Sequence, residues 1–367
     1  MKHFGNFVAL LILAVNALFT GLLLLVAYSP YIQPTSHPVQ SCFGLAFPVF
    51  ALINGGFLIF WLVIQRYKTA LLPLVGFLLC YSQLRTYLPL NFHTSNLPEK
   101  SIKFLSYNIM GFDGANKRNG KNPILTYLKE SNADILCLQE YASDESHRHL
   151  TQKDIERELK DYPYHRINVV GSGGSGYSNK IACYSKFPIL SARVLNYTSN
   201  YNGSVLYELK LDEDTITLIN NHLESNKLTK TDKDIYEDML KAPEKEKVKS
   251  GARLLVRKLA EASAIRAPQA DTIAKEIASS RHPSIIVCGD FNDTPISYTH
   301  RVIAQNLNDA FTQSGRGLGV SYNQNKFYFR IDNILISKNL QSYNCTVDQS
   351  IKESDHYPIW CYIAKRQ

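Results

Sequence analysis

Hydrophobic and polar positions divide the chain into two unlike parts. Residues 4–90 contain no Asp or Glu and almost no Lys or Arg. Three apolar stretches fill this part: Phe7–Tyr28, Phe43–Ile64 and Ala70–Leu90. Each is close to the roughly 20 residues that a helix needs to cross the hydrocarbon core of a bilayer. The pattern therefore predicts a membrane anchor at residues 1–92 with three transmembrane helices.

The few charges of the anchor predict its orientation. Lys2 precedes the first stretch, Arg66 and Lys68 separate the second from the third, and residues 29–42 contain no Lys or Arg. Because positively charged loops stay in the cytoplasm, the N-terminus is predicted inside and everything after residue 92 outside. In a Gram-negative cell this means the periplasmic side of the inner membrane. A cleavable signal peptide is the alternative for the first stretch, but two further stretches follow it.

From Ser101 onward, short apolar runs alternate with segments of helical periodicity. Strands are predicted at Ile102–Ile109, Ala133–Tyr141, Tyr164–Val170, Lys180–Tyr184, Val205–Leu211, Thr215–Asn220, Ser284–Cys288, Arg330–Ile336 and Trp360–Ile363. Helices are predicted at Pro123–Glu130, Lys153–Leu159, Glu244–Arg266 and Ala270–Ser279. Many short strands and few helices indicate an α/β domain at residues 101–367, with two packed sheets flanked by helices.

Charge and cysteine content narrow the classes of protein only slightly. The formal net charge of +8 permits contact with phosphate-rich surfaces without requiring it. The seven cysteines show no CxxC or CxxH spacing, which favours buried free thiols over a zinc finger. Residues 225–262 resemble an insertion rich in Lys and Arg, which is either a solvated helical face or a phosphate-facing surface. The glycine-rich run at residues 171–176 lacks the Lys-Ser/Thr pair of a P-loop and predicts a plain loop.

Polar side chains stand at the ends of the apolar runs in the second part of the chain. They are Asn108 in LSYNI, Glu140 in LQEY, His222 in NNHLES, Asp290 and Asn292 in GDFND, Asp332 in RIDNILIS, and Asp355 and His356 in SDHYPI. Buried strands deliver such groups into a cleft at the edge of a sheet. Carboxylate, amide and imidazole groups in this mixture suit a hard divalent cation and a phosphate ester.

Two of these segments carry more specific signals. Asp290 and Asn292 lie two residues apart, so on an extended chain they point to the same side. Asp332 lies inside an apolar run, where a lone carboxylate is costly to bury. A histidine is its natural partner, because such a pair fixes the imidazole tautomer and stabilises the imidazolium. For each acid taken singly, a capping or salt-bridging role is the alternative.

With these motifs, the chain resembles the endonuclease/exonuclease/phosphatase family, which includes pancreatic deoxyribonuclease, abasic-site endonucleases, neutral sphingomyelinases and inositol-polyphosphate 5-phosphatases. The resemblance covers residues 101–367 and keeps the motifs in the order of the family. It implies a four-layer α/β sandwich and cleavage of phosphoester bonds that depends on Mg²⁺, with Mn²⁺ as an alternative.

The resemblance also implies roles for individual residues. Asn108 and Glu140 would hold the metal, with Asp355 close by. Asp290 and Asn292 would position the attacking water and a phosphate oxygen. His356, oriented by Asp332, would act as a base or stabilise the phosphate, and His222 would contact the phosphate or protonate the leaving oxygen.

One departure from the family weakens the proton-donor role of His222. Pancreatic deoxyribonuclease supports its second histidine with a glutamate on the strand that corresponds to Lys180–Tyr184, and this chain has no acid there. Glu224, two residues after His222, is a candidate substitute. Arg266 and Gln269 could face the cleft from a helix, although a surface pair is equally compatible with the sequence.

The sequence thus favours a membrane-anchored, metal-dependent phosphoesterase. A lipid headgroup or another envelope phosphodiester is the favoured substrate, because anchoring raises the effective concentration of anything carried by the same membrane. A nuclease acting on DNA or RNA is the alternative, and a catalytically silent binding module of the same fold is a third hypothesis. No protein partner is predicted, and monoester and diester substrates remain open.

Overall fold

The computed structural model describes residues 2–113, 121–143, 150–171, 179–199, 201–241, 245–324 and 327–366. The helices are α1 (Lys2–Ala27), α2 (Pro38–Ser41), α3 (Phe47–Val63), α4 (Tyr67–Leu79), α5 (Tyr81–Tyr87), α6 (Met110–Asp113), α7 (Pro123–Glu130), α8 (Gln152–Glu158), α9 (Lys230–Lys241), α10 (Lys245–Ala278), α11 (Tyr298–Ile303) and α12 (Ala310–Ser314). The strands are β1 (Ile102–Asn108), β2 (Ile135–Gln139), β3 (Tyr164–Val170), β4 (Asn179–Ser185), β5 (Ile189–Val194), β6 (Gly203–Leu211), β7 (Asp214–His222), β8 (Ile285–Asp290), β9 (Leu307–Asp309), β10 (Tyr322–Gln324), β11 (Phe327–Phe329), β12 (Asp332–Ser337), β13 (Leu340–Val347) and β14 (Ile359–Lys365). The predicted glycine-rich loop at 171–176 lies, apart from Gly171, outside these residues.

The N-terminal helices form a bundle in which α1, α3 and α4 pack against one another. The chain passes along the bundle three times. At the end remote from the sheets, Arg66 Nη2 donates a 3.1 Å hydrogen bond to Asn6 Oδ1. Large apolar side chains such as Leu10, Leu52 and Ile59 face outward and are more than half exposed. The bundle therefore presents an apolar outer surface.

The third predicted transmembrane helix differs from the expectation. By length and composition, Phe4–Tyr31 and Pro38–Val63 are the two segments, among the residues described, that suffice to cross a membrane. The stretch Ala70–Leu90 is divided at Cys80, where φ is −110° and ψ is 23°, into the shorter helices α4 and α5. Pro73 inside α4 also lacks an N–H for the helical ladder. The prediction of about three helices of spanning length is therefore wrong for the third.

A buried polar network joins the helices of the bundle. Trp61 Nε1 donates to Asn16 Oδ1 over 3.0 Å, and Thr20 Oγ1 donates to Asn54 Oδ1 over 2.8 Å. The Asn54 amide nitrogen donates in turn to the Phe19 and Phe50 carbonyls. In a lipid bilayer, the hydrophobic effect does not favour one apolar helix face over another. Interhelical hydrogen bonds of this kind then determine which faces pack together.

Two six-stranded sheets follow, with the strand orders β13-β14-β1-β2-β4-β3 and β5-β6-β7-β8-β12-β9. The pairs β1–β2 and β7–β8 are parallel, and the other neighbours in these two sheets are antiparallel. The two central parallel pairs matter for function, because the carboxyl ends of all four strands lie at one edge of the structure.

Both faces of each sheet are buried by apolar packing. Side chains such as Phe104, Cys137 and Tyr207 fill the space between the sheets. Helices α7 and α8 cover the outer face of the first sheet, while α10 and α11 cover the outer face of the second. This arrangement of helices, sheet, sheet and helices confirms the predicted four-layer α/β sandwich.

Residues 245–278 form one helix where the sequence predicts two. The expected break falls at Pro268, whose ring removes one hydrogen bond from the helical ladder. Ala267, Ala270 and Ile273 on this helix are nevertheless fully buried against the second sheet. Their packing holds the helix continuous across the proline. Helix α9 and the strands β5 and β13 are among the elements that the sequence does not predict.

The bundle is docked onto the sandwich, and the segment between α1 and α3, residues 28–46, forms most of the contact. We call this segment the anchor loop. A Cβ atom on Gly44 would lie 2.0 Å from the Ile296 carbonyl oxygen, so this approach requires glycine. Arg301 Nε donates to the Pro30 carbonyl over 2.8 Å, and its guanidinium lies 4.7 Å from the centre of the Tyr31 ring.

Candidate active site

Six strand ends or neighbouring turns bring the predicted polar residues to one edge of the sandwich. Parallel pairing sets Asn108 on β1 beside Gln139 on β2, immediately before Glu140, and sets His222 on β7 beside Asp290 on β8. Antiparallel pairing then sets Asp332 on β12 opposite Asp290. The convergence follows from strand register, because each residue terminates or begins a buried run.

Asp290 lies at the centre of this cluster and is almost wholly buried. Its Oδ1 accepts a 2.8 Å hydrogen bond from the Asn292 backbone N–H, and its Oδ2 accepts a 3.2 Å bond from Asn292 Nδ2. The preceding Gly289 has a φ of 118°, and a Cβ there would lie 2.0 Å from the Asn221 carbonyl oxygen. Glycine therefore permits the turn that aims Asp290 into the cleft.

His356 and Asp332 form the predicted pair. His356 Nδ1 lies 2.8 Å from Asp332 Oδ2, and both side chains are buried. His356 Nε2 points the other way and lies 3.5 Å from Asp290 Oδ2. Asp332 thus fixes the orientation of the imidazole, so that Nε2 faces the centre of the cluster.

Asn108 links the two halves of the cluster. Its Nδ2 donates to Glu140 Oε1 over 3.0 Å and to Asp290 Oδ2 over 3.2 Å. His222 Nε2 lies 3.6 Å and 3.7 Å from the same two carboxylate oxygens. Glu140 and Asn292 both have a φ of 51°, and such a left-handed backbone is uncommon for Glu. Strained backbone of this kind is concentrated at functional sites.

Burial and mutual charge shift the pKa values of two of these groups. Burial raises the pKa of Asp290 to about 6, against the opposing effect of His356. Burial by itself lowers the pKa of His356, but the carboxylates of Asp332 and Asp290 outweigh it and hold that pKa well above its usual value. The two carboxylates therefore favour the cationic form of His356, and His356 in turn opposes the effect of burial on Asp290.

A cavity of about 240 Å³ opens over this cluster. It brings together six of the eight predicted residues, namely Glu140, His222, Asp290, Asn292, Asp355 and His356. Asn108 and Asp332 do not line it, and each supports a neighbour from beneath. The structure thus gathers all eight residues around one cavity, with six on its surface and two behind it.

The donor set fits a hard divalent cation. Glu140 Oε1 accepts a 3.0 Å hydrogen bond from Asn108 Nδ2, and Asp355 lines the same cavity, so oxygen-bearing side chains of three residues are available to a cation. Asn108 would have to turn its amide so that Oδ1 faces the cation. A second group with close ligand atoms, Asp290, Asp332 and His356, fits less well, because Asp332 and His356 are already bonded to each other.

The structure assigns Glu224 a role other than the one considered from the sequence. Its carboxylate accepts a 2.8 Å hydrogen bond from Ser199 Oγ and lies 2.6 Å from Lys227 Nζ. His222 Nδ1 is buried and has no hydrogen-bond partner within the part of the chain that the structure describes. The hypothesis that Glu224 supports His222 is therefore wrong.

Cationic side chains line one side of the cavity. Arg266 does face the cleft from α10, where Nη1 donates to the Glu224 carbonyl over 2.8 Å and to Asn226 Oδ1 over 2.9 Å. Gln269 does not line the cavity, and its Oε1 accepts from the Glu224 backbone N–H instead. Lys233 in the insertion donates to the Tyr322 hydroxyl over 2.6 Å.

Sequence reasoning missed Lys233 and Tyr322 as members of the site. The Tyr322 ring packs edge-on against His356, with 5.1 Å between ring centres. Neither residue lies at the end of an apolar run, so the pattern that identified the other positions gives no signal for them. The basic character of the insertion is the one sequence feature that points to Lys233. Its contact with Tyr322 depends on tertiary packing, which the sequence does not show.

Models of two protein families match the two parts of the chain. Residues 105–356 match the model of the Endonuclease/Exonuclease/phosphatase family, and residues 9–87 match a domain of unknown function. A search of curated proteins returned no match.

Two solved structures share the fold. An endonuclease/exonuclease/phosphatase from Beutenbergia cavernae DSM 12333 is 12% identical, with 72% of each chain covered and a TM-score of 0.51. The human Nocturnin catalytic domain with bound sulfate anion is 16% identical, with 76% of this chain and 97% of that chain covered and a TM-score of 0.50. The family model spans more than half of the chain, and the chain therefore belongs to the endonuclease/exonuclease/phosphatase family.

Proposed function

We propose that this protein is a membrane-anchored, divalent-metal-dependent phosphodiesterase that acts on a lipid headgroup or another envelope phosphoester. The observation that carries the proposal is the single cavity over Asp290, in which carboxylates and two histidines surround a space large enough for a phosphate group. Members of the family typically hydrolyse phosphoesters with a divalent metal, and the cluster has the residues for that chemistry.

The cation would be held by Glu140, Asn108 and Asp355. Mg²⁺ fits oxygen ligands of this kind, and Mn²⁺ is an alternative. When bound, a divalent cation supplies positive charge at phosphate oxygens on which negative charge develops. Glu140 is well placed for this, because its side chain is 36% exposed at the cavity wall and leaves room for water ligands.

The chain's own residues would activate water and stabilise the phosphate. Asp290, ionised and fixed by two hydrogen bonds from Asn292, orients the attacking water and accepts its proton. His356, kept cationic by Asp332, faces the phosphate and stabilises its charge. His222 contacts the phosphate from the opposite side. Its unpartnered Nδ1 favours that contact over proton donation to the leaving oxygen.

Two further observations support a phosphate-bearing substrate near a membrane. The solved Nocturnin domain carries a sulfate, which has the tetrahedral shape and charge of a phosphate. In this chain, Asn91 Nδ2 donates to the Gly315 carbonyl over 2.7 Å and Gly317 N–H donates to the Pro89 carbonyl over 2.9 Å. The connector after the bundle is therefore held against the sandwich, which keeps the cavity close to the anchor.

Removal of metal is the first test of the proposed function. We expect the full chain in detergent to hydrolyse a phosphodiester lipid in mixed micelles with Mg²⁺, to lose this activity in excess EDTA, and to regain it when Mg²⁺ or Mn²⁺ is restored. Product release measured by phosphate-group assay or chromatography would check this. Plasmid DNA is assayed in parallel. Full activity in EDTA contradicts metal dependence, and cleavage of DNA with every lipid untouched supports the nuclease alternative.

The predicted topology is a second test. Lys2, Arg66 and Lys68 belong to the bundle end remote from the sandwich, which favours a cytoplasmic N-terminus and an extracytoplasmic cavity. In a bacterial host, an alkaline phosphatase fused to the C-terminus should be active, whereas green fluorescent protein fused at the same position and exported through the Sec system should be dark. The opposite pair of results would place the cavity in the cytoplasm.

A further inference from the structure

The anchor loop does more than connect two helices, because it forms part of the wall of the active-site cavity. Ser41, Cys42 and Leu45 of this loop line the same cavity as Asp290 and His356. Ser41 Oγ lies 3.4 Å from Ser263 Oγ on α10, and Gly44 is packed directly on the Ile296 backbone. The loop is therefore fixed in place by contacts from two elements of the sandwich.

The cavity combines two kinds of lining. One is the set of charged and imidazole side chains around Asp290, together with Lys227, Lys233, Arg266 and Asp293. The other, which we call the apolar wall, consists of Leu45, Leu228, Leu259, Ile296, Phe327 and Phe329. Leu45 and Leu259 are partly exposed, whereas Ile296 is buried. A cavity lined by both the charged cluster and large apolar side chains fits a molecule with a phosphate group and a hydrocarbon part.

The apolar wall also lies next to the membrane-facing part of the molecule. Leu45 precedes the first residue of α3, Phe47, by two positions, so their Cα atoms are at most about 7.6 Å apart. Ile296 belongs to the same apolar cluster as Leu23 and Phe47 of the bundle. The wall of the cavity is thus continuous with the apolar ends of the helices that form the anchor.

We propose that Ser41, Cys42 and Leu45, the part of the anchor loop that lines the cavity, form a substrate-binding element of the active site, and that this element selects phosphoesters with a long alkyl substituent, which lies against Leu45 and Leu259 while the phosphate is held over Asp290. This inference rests on the proposed phosphodiesterase function and adds its substrate class and the residues that recognise it. The anchor then provides specificity in addition to proximity, since Ser41, Cys42 and Leu45 form part of the cavity wall.

Two esters that differ in one substituent test the proposal. Dodecyl and methyl 4-nitrophenyl phosphate share the phosphodiester and the leaving group, and the alkyl chain alone distinguishes them. The full chain is assayed with both in neutral detergent and Mg²⁺, and kcat/KM is taken from release of 4-nitrophenolate. Since loss of apolar contact in a binding pocket costs about tenfold or more in discrimination, Leu45→Gln and Leu259→Gln should each lower the dodecyl-to-methyl ratio of kcat/KM by about tenfold.

Val39→Gln is the matched control. Val39 belongs to the same anchor loop, is 44% exposed and does not line the cavity. This variant should retain both rates and the wild-type ratio, which separates the cavity wall from partition of the dodecyl ester into micelles. Leu259 lies on α10, so its variant tests the wall independently of any disturbance of the loop.

The outcomes distinguish this inference from the proposed function. The inference would be overturned if both cavity variants kept the wild-type dodecyl-to-methyl ratio of kcat/KM, whether their rates were unchanged or fell equally for the two esters. The proposed phosphodiesterase function would still stand. Turnover of neither ester by the wild-type chain with Mg²⁺ or Mn²⁺ would overturn the proposed function and the inference with it. A ratio that falls in both cavity variants and persists in Val39→Gln supports the inference.

Discussion

The variants Asp290→Asn and His356→Ala are each expected to lower kcat/KM for a phosphodiester by about a thousandfold or more, since positioned acid–base and charge-stabilising groups contribute on that scale. Asp290→Asn removes the carboxylate that His356, Asn292 and Asn108 surround. His356→Ala removes a cation held by Asp332 at the edge of the phosphate position. Initial rates at saturating Mg²⁺ would measure both losses.

The controls for these two variants use exposed residues of the same types. Asp161→Asn and His93→Ala change exposed side chains that do not line the cavity, and both should retain wild-type rates. Far-ultraviolet circular dichroism would establish that the two site variants remain folded. Wild-type rates for Asp290→Asn and His356→Ala would refute the assignment of the cavity as a phosphodiesterase site.

Asp332 and His356 have different roles in the pair. Asp332 does not line the cavity and acts through His356, so it is a positioning residue. Its buried Oδ1 has no hydrogen-bond partner among the residues described, so the contact to His356 is its clear polar function. That contact explains why the sequence places a carboxylate inside the apolar run of β12.

Much of the fold and the site could be predicted because one rule governs both. Asn108, His222 and Asp290 each end a buried apolar run, and a polar residue at that point is visible in the sequence. Strand pairing then sets these ends side by side, so a pattern local to each strand becomes a shared site. The family resemblance supplied the order in which the strands contribute.

The remaining features depend on contacts between distant segments, which leave no local pattern. Nothing near Gly44 in the sequence distinguishes it from an ordinary glycine. Its contact is with Ile296, which is 252 positions further along the chain, and this contact fixes the position of the loop. Pro268 predicts a helix break, which burial of Ala267 and Ala270 overrides. Glu224 has the right spacing from His222, but its partners are Ser199 and Lys227.

The docking of the bundle changes how the anchor is understood. Sequence alone describes residues 1–92 as a hydrophobic tether. In the structure, Arg330 Nη2 donates to the Thr86 carbonyl over 2.5 Å, and Arg301 holds the Pro30 carbonyl. Both arginines belong to the sandwich and satisfy backbone groups at the ends of bundle segments. The sandwich therefore has a surface that binds the bundle, which agrees with the proposed action on membrane-borne substrates.

Asp309→Ala is expected to destabilise the sandwich by about 3–5 kcal/mol, the cost of removing one partner of a buried ion pair. Asp309 Oδ2 lies 3.5 Å from Arg330 Nη2 and 3.3 Å from His300 Nε2, and the exposed fraction of each of the three side chains is 7% or less. Its Oδ1 also caps α12 by accepting from the Phe311 and Thr312 backbone N–H groups. The variant would leave the Arg330 guanidinium buried without its carboxylate.

The pH dependence of this effect follows from the pKa of Asp309. Burial alone raises that pKa, but Arg330 and His300 outweigh burial and hold it below its usual value. A carboxyl whose folded pKa is depressed stabilises the fold above its unfolded pKa of about 4 and loses that contribution as the pH falls toward the folded pKa. The difference in unfolding free energy between wild type and variant should therefore be full at pH 7 and shrink below about pH 4.

Urea unfolding of the full chain in detergent would measure the difference, with the exposed Asp161→Ala as control. The double variant Asp309→Ala/Arg330→Met gives the sharper test. It removes both charges of the pair, so no unpaired ion stays buried, and it should be more stable than Asp309→Ala although it lacks one more native residue. If the double variant is instead less stable than the single one, the unpaired buried charge does not cause the loss of stability in Asp309→Ala. Removal of the helix cap would then account for that loss. Removal of the Arg330–Thr86 contact would account for the further decrease in the double variant.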